Sequence, residues 1–205
     1  WAAGLFAWFF ISALYLQLVL GLGPMQVGLA FLPANVIMAI CSLGISAKLV
    51  MRFGIRGPLI AGLLLAACGL LLFARAPTIG NVWIAVVPAM ALLGIGSGIA
   101  FNPLLLAAMN DVPASDSGLA SGMVNTSFMM GGALGLAVLA SLAAAQSQQA
   151  AALGQGTAEA LNAGYQLAFA VGAAFTILAA AIGAVRFRKV AVPTATQVEG
   201  GGHGL

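Results

Sequence analysis

The chain has very little charge. Only seven basic and four acidic residues occur in 205, or 5%, against about 25% in an ordinary soluble domain. They are Lys48, Arg52, Arg56, Arg75, Asp111, Asp116, Glu159, Arg186, Arg188, Lys189 and Glu199, and none falls inside a long apolar stretch. A charge at the bilayer centre costs roughly 2.5–3.5 kcal/mol on insertion scales, so charges are expelled to the loops. This scarcity excludes a soluble bundle, whose helices need a polar face toward water. It also excludes nucleic-acid binding, which needs a clustered basic patch rather than cations scattered at span ends.

Other shortages exclude other chemistries. The single histidine, His203, lies near the C-terminus, so Gly94-Ile95-Gly96-Ser97-Gly98 has no base to activate its serine. No cluster has metal-ligand spacing, and no glycine-rich loop sits in a strand–turn–helix setting. No catalytic residue, metal or cofactor is expected, and the chain is not expected to be an enzyme. Cys41 and Cys68 are the only cysteines and both fall in apolar segments, where each is expected to be a small buried hydrophobe rather than half of a disulfide.

What the chain does have is apolar length. Hydrophobic residues make up 62%, and mean hydropathy is +1.12. A span needs about 17–25 mostly apolar residues. Six such segments are predicted, over roughly Trp1–Leu20, Val27–Ala47, Pro58–Ala74, Val82–Met109, Gly118–Ala145 and Ala163–Val185. The fold class is therefore an all-α membrane protein. Lys48, Arg52 and Arg56 follow the second segment and Arg186, Arg188 and Lys189 the sixth, with Arg75 alone on the opposite side. The positive-inside rule places both ends in the cytoplasm of a multi-pass cell (inner or plasma) membrane protein. The six-helix bundle is assigned to residues 1–189 and a disordered cytoplasmic tail to 190–205, rich in Gly, Thr and Gln. Trp1 as first residue, with no basic stretch before the first apolar run, predicts an N-terminally truncated chain without a signal peptide.

Two of the predicted helices start alike. Pro24 precedes Gly28-Leu29-Ala30 and then Asn35; Pro113 precedes Gly118-Leu119-Ala120 and then Asn125. Threading puts one start outside and the other inside, which predicts two inverted three-helix repeats. An Ala/Gly-rich chain also produces such matches by chance. Gly94/Gly98, Gly118/Gly122 and Gly131/Gly135 sit four apart, a spacing that stacks small residues on one helix face for close packing, with or without sliding.

These residues resemble a known family. Tyr15-Leu16-Gln17 with Gly21, Gly23-Pro24, Gln26, Gly28-Leu29-Ala30 and Leu32-Pro33, then Arg52-Phe53-Gly54-Ile55-Arg56, are similar to the major facilitator superfamily. So are Gly118-Leu119-Ala120-Ser121-Gly122 with Asn125-Thr126 and Gly131-Gly132-Ala133-Leu134-Gly135, and Ala160-Leu161, Gly164-Tyr165 and Ala168-Phe169. Within the superfamily the resemblance is to the fourteen-span drug:proton antiporters of EmrB/QacA type. It implies the C-terminal six-helix half of a multidrug efflux transporter working by alternating access, with the N-terminal half of the same polypeptide missing. It also implies the proton as coupling ion and a lipophilic small-molecule substrate. Gly54, Arg52 and Arg56 match the superfamily's cytoplasmic loop motif, except that Met51 stands where an acid is usual. The arginines remain free to cap helix C-termini or to anchor the loop by charge alone.

No predicted span holds Asp, Glu, Lys, Arg or His, so no proton carrier is expected in this segment. Tyr15, Gln17, Asn102 and Asn125 are the candidates for a substrate-facing surface. Interhelical hydrogen bonding is the competing use of such side chains. A six-span channel or membrane scaffold subunit is the alternative function class, although no re-entrant filter or ring of charges points to a channel.

Overall fold

Each helix starts and stops where local chemistry allows. Gly23 caps the second helix, Pro24 occupies its first turn, and the Gly23 N–H donates to the Gln26 side chain at 3.0 Å. Gly54, at φ +74°, lets the chain reverse between the second and third helices in two residues. In the computed structural model, residues 1–78, 82–110 and 112–186 are described, without the side chains of 82–85 and 114. The tail expected over 190–205, Arg188, Lys189 and Asp111 lie outside the described residues.

Among the described residues, six helices are long and apolar enough to cross a membrane. They are α1 (Ala2–Val19), α2 (Pro24–Phe53), α3 (Arg56–Phe73), α4 (Val82–Met109), α5 (Ser117–Ala152) and α6 (Thr157–Arg186). No strand occurs among the described residues. Two wide π turns interrupt the ladder, at Tyr15–Val19 ending α1 and at Cys41–Ser46 within α2.

The helices outrun the expected spans. α2 continues to Phe53, so Lys48 and Arg52 ride on its last turns instead of lying in a loop. α5 has 36 residues, about 54 Å at the usual rise, against an apolar bilayer core of roughly 30 Å. The α5–α6 hairpin therefore projects into water, with Gln148 and Gln149 exposed. Cys41 is buried as expected, but Cys68 is exposed on α3.

The packing crosses the two repeats. α2 packs on α4 and α5 packs on α1, so each three-helix unit places its second helix against the first helix of the other. α3 and α6 pack on each other and on α4 and α1 respectively. One difference breaks the correspondence. α5 and α6 run together along their length, whereas α2 and α3 barely meet. Aromatic contacts fix the alternating sense of the helices. At one end Trp1 meets Phe101 at 5.9 Å and Phe128 at 5.6 Å. At the other, Phe73 stacks on Phe169 at 5.0 Å with Tyr15 edge-on to Phe73. α2 and α5 form the open edges, with 17% of each span buried against 39–56% for the other four.

Candidate functional site

Three polar zones lie within this apolar bundle. The first ties the end of the bundle where α3 hands over to α4. The Tyr15 hydroxyl of α1 donates to the Pro77 carbonyl at 2.8 Å. From α6, Asn162 Nδ2 and Gln166 Nε2 both donate to the Ala76 carbonyl, at 3.2 and 3.0 Å. The segment leaving α3 has no helical ladder of its own, and these donors supply what the backbone lacks. Tyr15 is fully buried here, behind Phe73. It therefore stands behind the surface rather than on it. Gln17, two residues on in the same π turn, is exposed.

The second zone is the seam between α2 and α4. A Cβ on Gly94 would stand 2.6 Å from the Ala34 carbonyl, and one on Gly98 2.6 Å from the Met38 carbonyl. Gly96, half a turn round, faces α3 at Ala66 instead. Helix geometry explains the division, because residues four apart share a face and residues two apart do not. Asn102 is half-buried beside this waist, with Nδ2 donating to the Ser42 carbonyl at 2.5 Å. Above the waist lies an apolar groove of about 160 Å³ between Leu29, Pro33, Ile37 and Met90. Below it a second groove is lined by Val50, Met51, Asn102, Leu105, Leu106 and Met109.

The third zone is the open face of α5. Gly118, Ser121, Gly122 and Asn125 are exposed and fall on one stripe. No atom of the chain comes within 4 Å of where a Cβ on Gly118 or Gly122 would be. The tight contacts of α5 are made further along. A Cβ on Gly132 would stand 2.7 Å from the Phe6 ring, and one on Gly135 would overlap Ala3. A Cβ on Gly131 would stand 3.9 Å from that of Ala2, an ordinary contact, so the pair packed close against α1 is Gly132/Gly135 rather than Gly131/Gly135. Asn35, which matches Asn125 in the repeat, is likewise exposed on α2.

The loop motif sits at the turn between α2 and α3. Arg52 and Arg56 flank Gly54, both exposed, and the Arg52 guanidinium lies 5.4 Å from the centre of the Phe53 ring. Asn162 and Gln166 were missed as tie residues. Their partner is a main-chain carbonyl some 86 and 90 positions away, and nothing in the local pattern marks it.

Six long apolar helices in two interlocked units, with small-residue seams between them, are the arrangement of a multi-pass membrane protein. Residues 1–136 match the family model described as Major Facilitator Superfamily. The chain belongs to that superfamily. It is similar to the puromycin resistance protein pur8 of Streptomyces alboniger, with 36% identity over 138 residues, 66% of this chain and 27% of that protein. It is also similar to the multidrug resistance protein Stp of Mycobacterium tuberculosis, 34% over 135 residues, covering 66% and 25%. The cephamycin export protein CmcT of Amycolatopsis lactamdurans is 35% identical over 136 residues, covering 64% and 27%. The matched segment thus spans about a quarter of the length of these relatives.

Proposed function

We propose that this chain is the C-terminal six-helix half of a multidrug efflux transporter that exchanges lipophilic, cationic compounds for protons by alternating access. Both ends lie in the cytoplasm and the N-terminal half of the same polypeptide covers the open edges. The observation that carries the reading is the exposed stripe Gly118, Ser121, Gly122 and Asn125, joined by Asn35 on α2. Amide side chains facing lipid cost free energy, whereas facing a water-filled cavity or a second helical unit they do not. The names of the relatives, each a resistance or export protein, support the substrate class.

Gln17 and Asn125 present free amide groups, so they line the C-terminal wall of the cavity. Tyr15 and Asn102 have donors engaged within the chain; Tyr15 stands one layer behind, and Asn102 borders the lower groove with its amide N–H committed to α2. The titrating group is assigned to the other half, because the described spans offer no Asp, Glu, Lys, Arg or His at mid-membrane depth. The fourteen-span arrangement follows from the sequence resemblance. No catalytic step is assigned.

The test is growth of a pump-deficient host on a panel of toxic compounds, with the full-length protein expressed and its membrane level measured. Export of several lipophilic cations, abolished by collapsing the proton gradient, is the expected outcome. Export unaffected by the gradient would remove the proton-coupling part. Protection against none of the panel would overturn the substrate class.

A further inference from the structure

α4 carries a proline in its interior, and α2 carries a π turn at the same level. Pro103 has no N–H, so the carbonyl of Ile99, four residues back, loses its ladder donor. The Ser46 hydroxyl of α2 donates to that carbonyl at 2.9 Å, in a buried setting. In the reverse direction Asn102 of α4 donates Nδ2 to the carbonyl of Ser42, inside the π turn of α2, with the Ser42 hydroxyl at 3.4 Å. Each helix thus supplies a side chain to the irregular backbone of the other.

Proline breaks and π turns are the places where helices bend. Here the two are stitched together, and Gly98 brings their backbones into contact just above. Below the stitch the inner ends, Ala47–Phe53 of α2 and Pro103–Met109 of α4, border an open apolar groove.

We propose that Ser46 and Asn102 are positioning residues that join the two defects into one hinge, so that the inner ends of α2 and α4 swing as a unit. The swing is the one that opens and closes the inner side in alternating access, and to that extent it rests on the function proposed above. Without the reciprocal bonds each helix bends at its own defect.

The experiment uses the full-length protein with Cys68 replaced by Ser and spin labels at Met51 and Leu106 across the inner groove. A second labelled pair, Leu29 and Val87, reports on the outer groove. The wild-type inner distance is expected to be narrow and unchanged between substrate-loaded and substrate-free protein at low and high pH. Ser46→Ala and Asn102→Ala should broaden it and leave the outer pair unaltered. Ser46→Thr, which keeps the hydroxyl, should restore it. In export assays the Ala variants should lower kcat by about three- to tenfold, the size expected for one lost hydrogen bond, with KM nearly unchanged. A wild-type inner distance that differs between the two conditions would overturn the hinge without needing any variant, as would a narrow distance in both Ala variants. A change in KM alone for Asn102→Ala would make that amide a substrate contact instead. Loss of export on every compound with an intact inner distance pattern would count against the transport reading and leave the stitch standing.

Discussion

The hydroxyl of Tyr15 and the carbonyl of Pro77, 62 positions apart, form a 2.8 Å hydrogen bond that ties the end of α1 to the segment leaving α3. Asn162 and Gln166 of α6 reach the neighbouring carbonyl of Ala76, so three side chains from two helices converge on two adjacent peptide groups. Tyr15→Phe removes only the hydroxyl and should lower stability by about 0.5–1.5 kcal/mol. The measurement is the thermal unfolding midpoint of the detergent-purified protein.

The shared carbonyl predicts non-additive behaviour. Asn162→Ala or Gln166→Ala alone leaves Ala76 with one donor and should cost little. The double variant orphans a carbonyl in an apolar setting, and that group's desolvation costs roughly 1–3 kcal/mol. A double-mutant cycle by thermal unfolding should therefore give a coupling energy of at least about 0.5 kcal/mol. Simple additivity would mean that water reaches the carbonyl.

The glycines fall into two groups with different expected outcomes. A side chain at Gly98 or Gly135 collides with α2 or α1, so Gly98→Leu and Gly135→Leu should abolish accumulation of folded protein. Gly122 has no neighbour within the chain. Gly122→Leu should leave the protein at a normal level in the membrane, yet lose transport of every substrate, because the added bulk holds the second half away. Expression level and export, assayed side by side, separate the groups.

Side-chain truncation on the open face should act on selectivity. Gln17→Ala and Asn125→Ala are expected to shift the profile of tolerated compounds several-fold for some and not for others, with protein level unchanged. Minimum inhibitory concentrations across the panel are the readout. A uniform loss across all compounds would make these amides structural.

Topology has its own check. Ser115 and Gln155 are exposed in the turns at the two ends of α5. As introduced cysteines in a Cys68→Ser background, where the remaining Cys41 is buried, they should label from opposite sides of the membrane, Ser115 from the cytoplasm. Labelling of both from one side would refute the six alternating crossings.

Much of the architecture was legible because lipid imposes a strong rule. Charges cannot stay in hydrocarbon, so the gaps between Lys48, Arg75, Asp116, Glu159 and Arg186 outlined the helices. Helix ends were less legible. Lys48 and Arg52 continue α2 because the rule governs depth in the bilayer, not helicity, and a helix persists into water while its residues favour it. The neighbours of the glycines were not legible at all. A four-residue spacing shows that a stripe exists, but the partner depends on how helices are arranged. That is why Gly94/Gly98 met α2 while Gly118/Gly122 met nothing. The same holds for polar side chains. Asn102 beside Pro103 could be read from the sequence, but not that Ser46 would answer the vacancy that this proline leaves at the Ile99 carbonyl, 53 positions from the serine.

The two-residue turn at Gly54 has a mechanical consequence. With only Gly54 and Ile55 between α2 and α3, there is no slack to absorb rotation of the inner end of α2. α3 is wedged between α4 and α6 along its length. Torque from α2 is therefore either delivered to that wedge or dissipated in one pair of dihedrals. Glycine, which visits positive and negative φ at similar cost, makes the joint a swivel. Any larger turn of that edge would have to carry α3 with it.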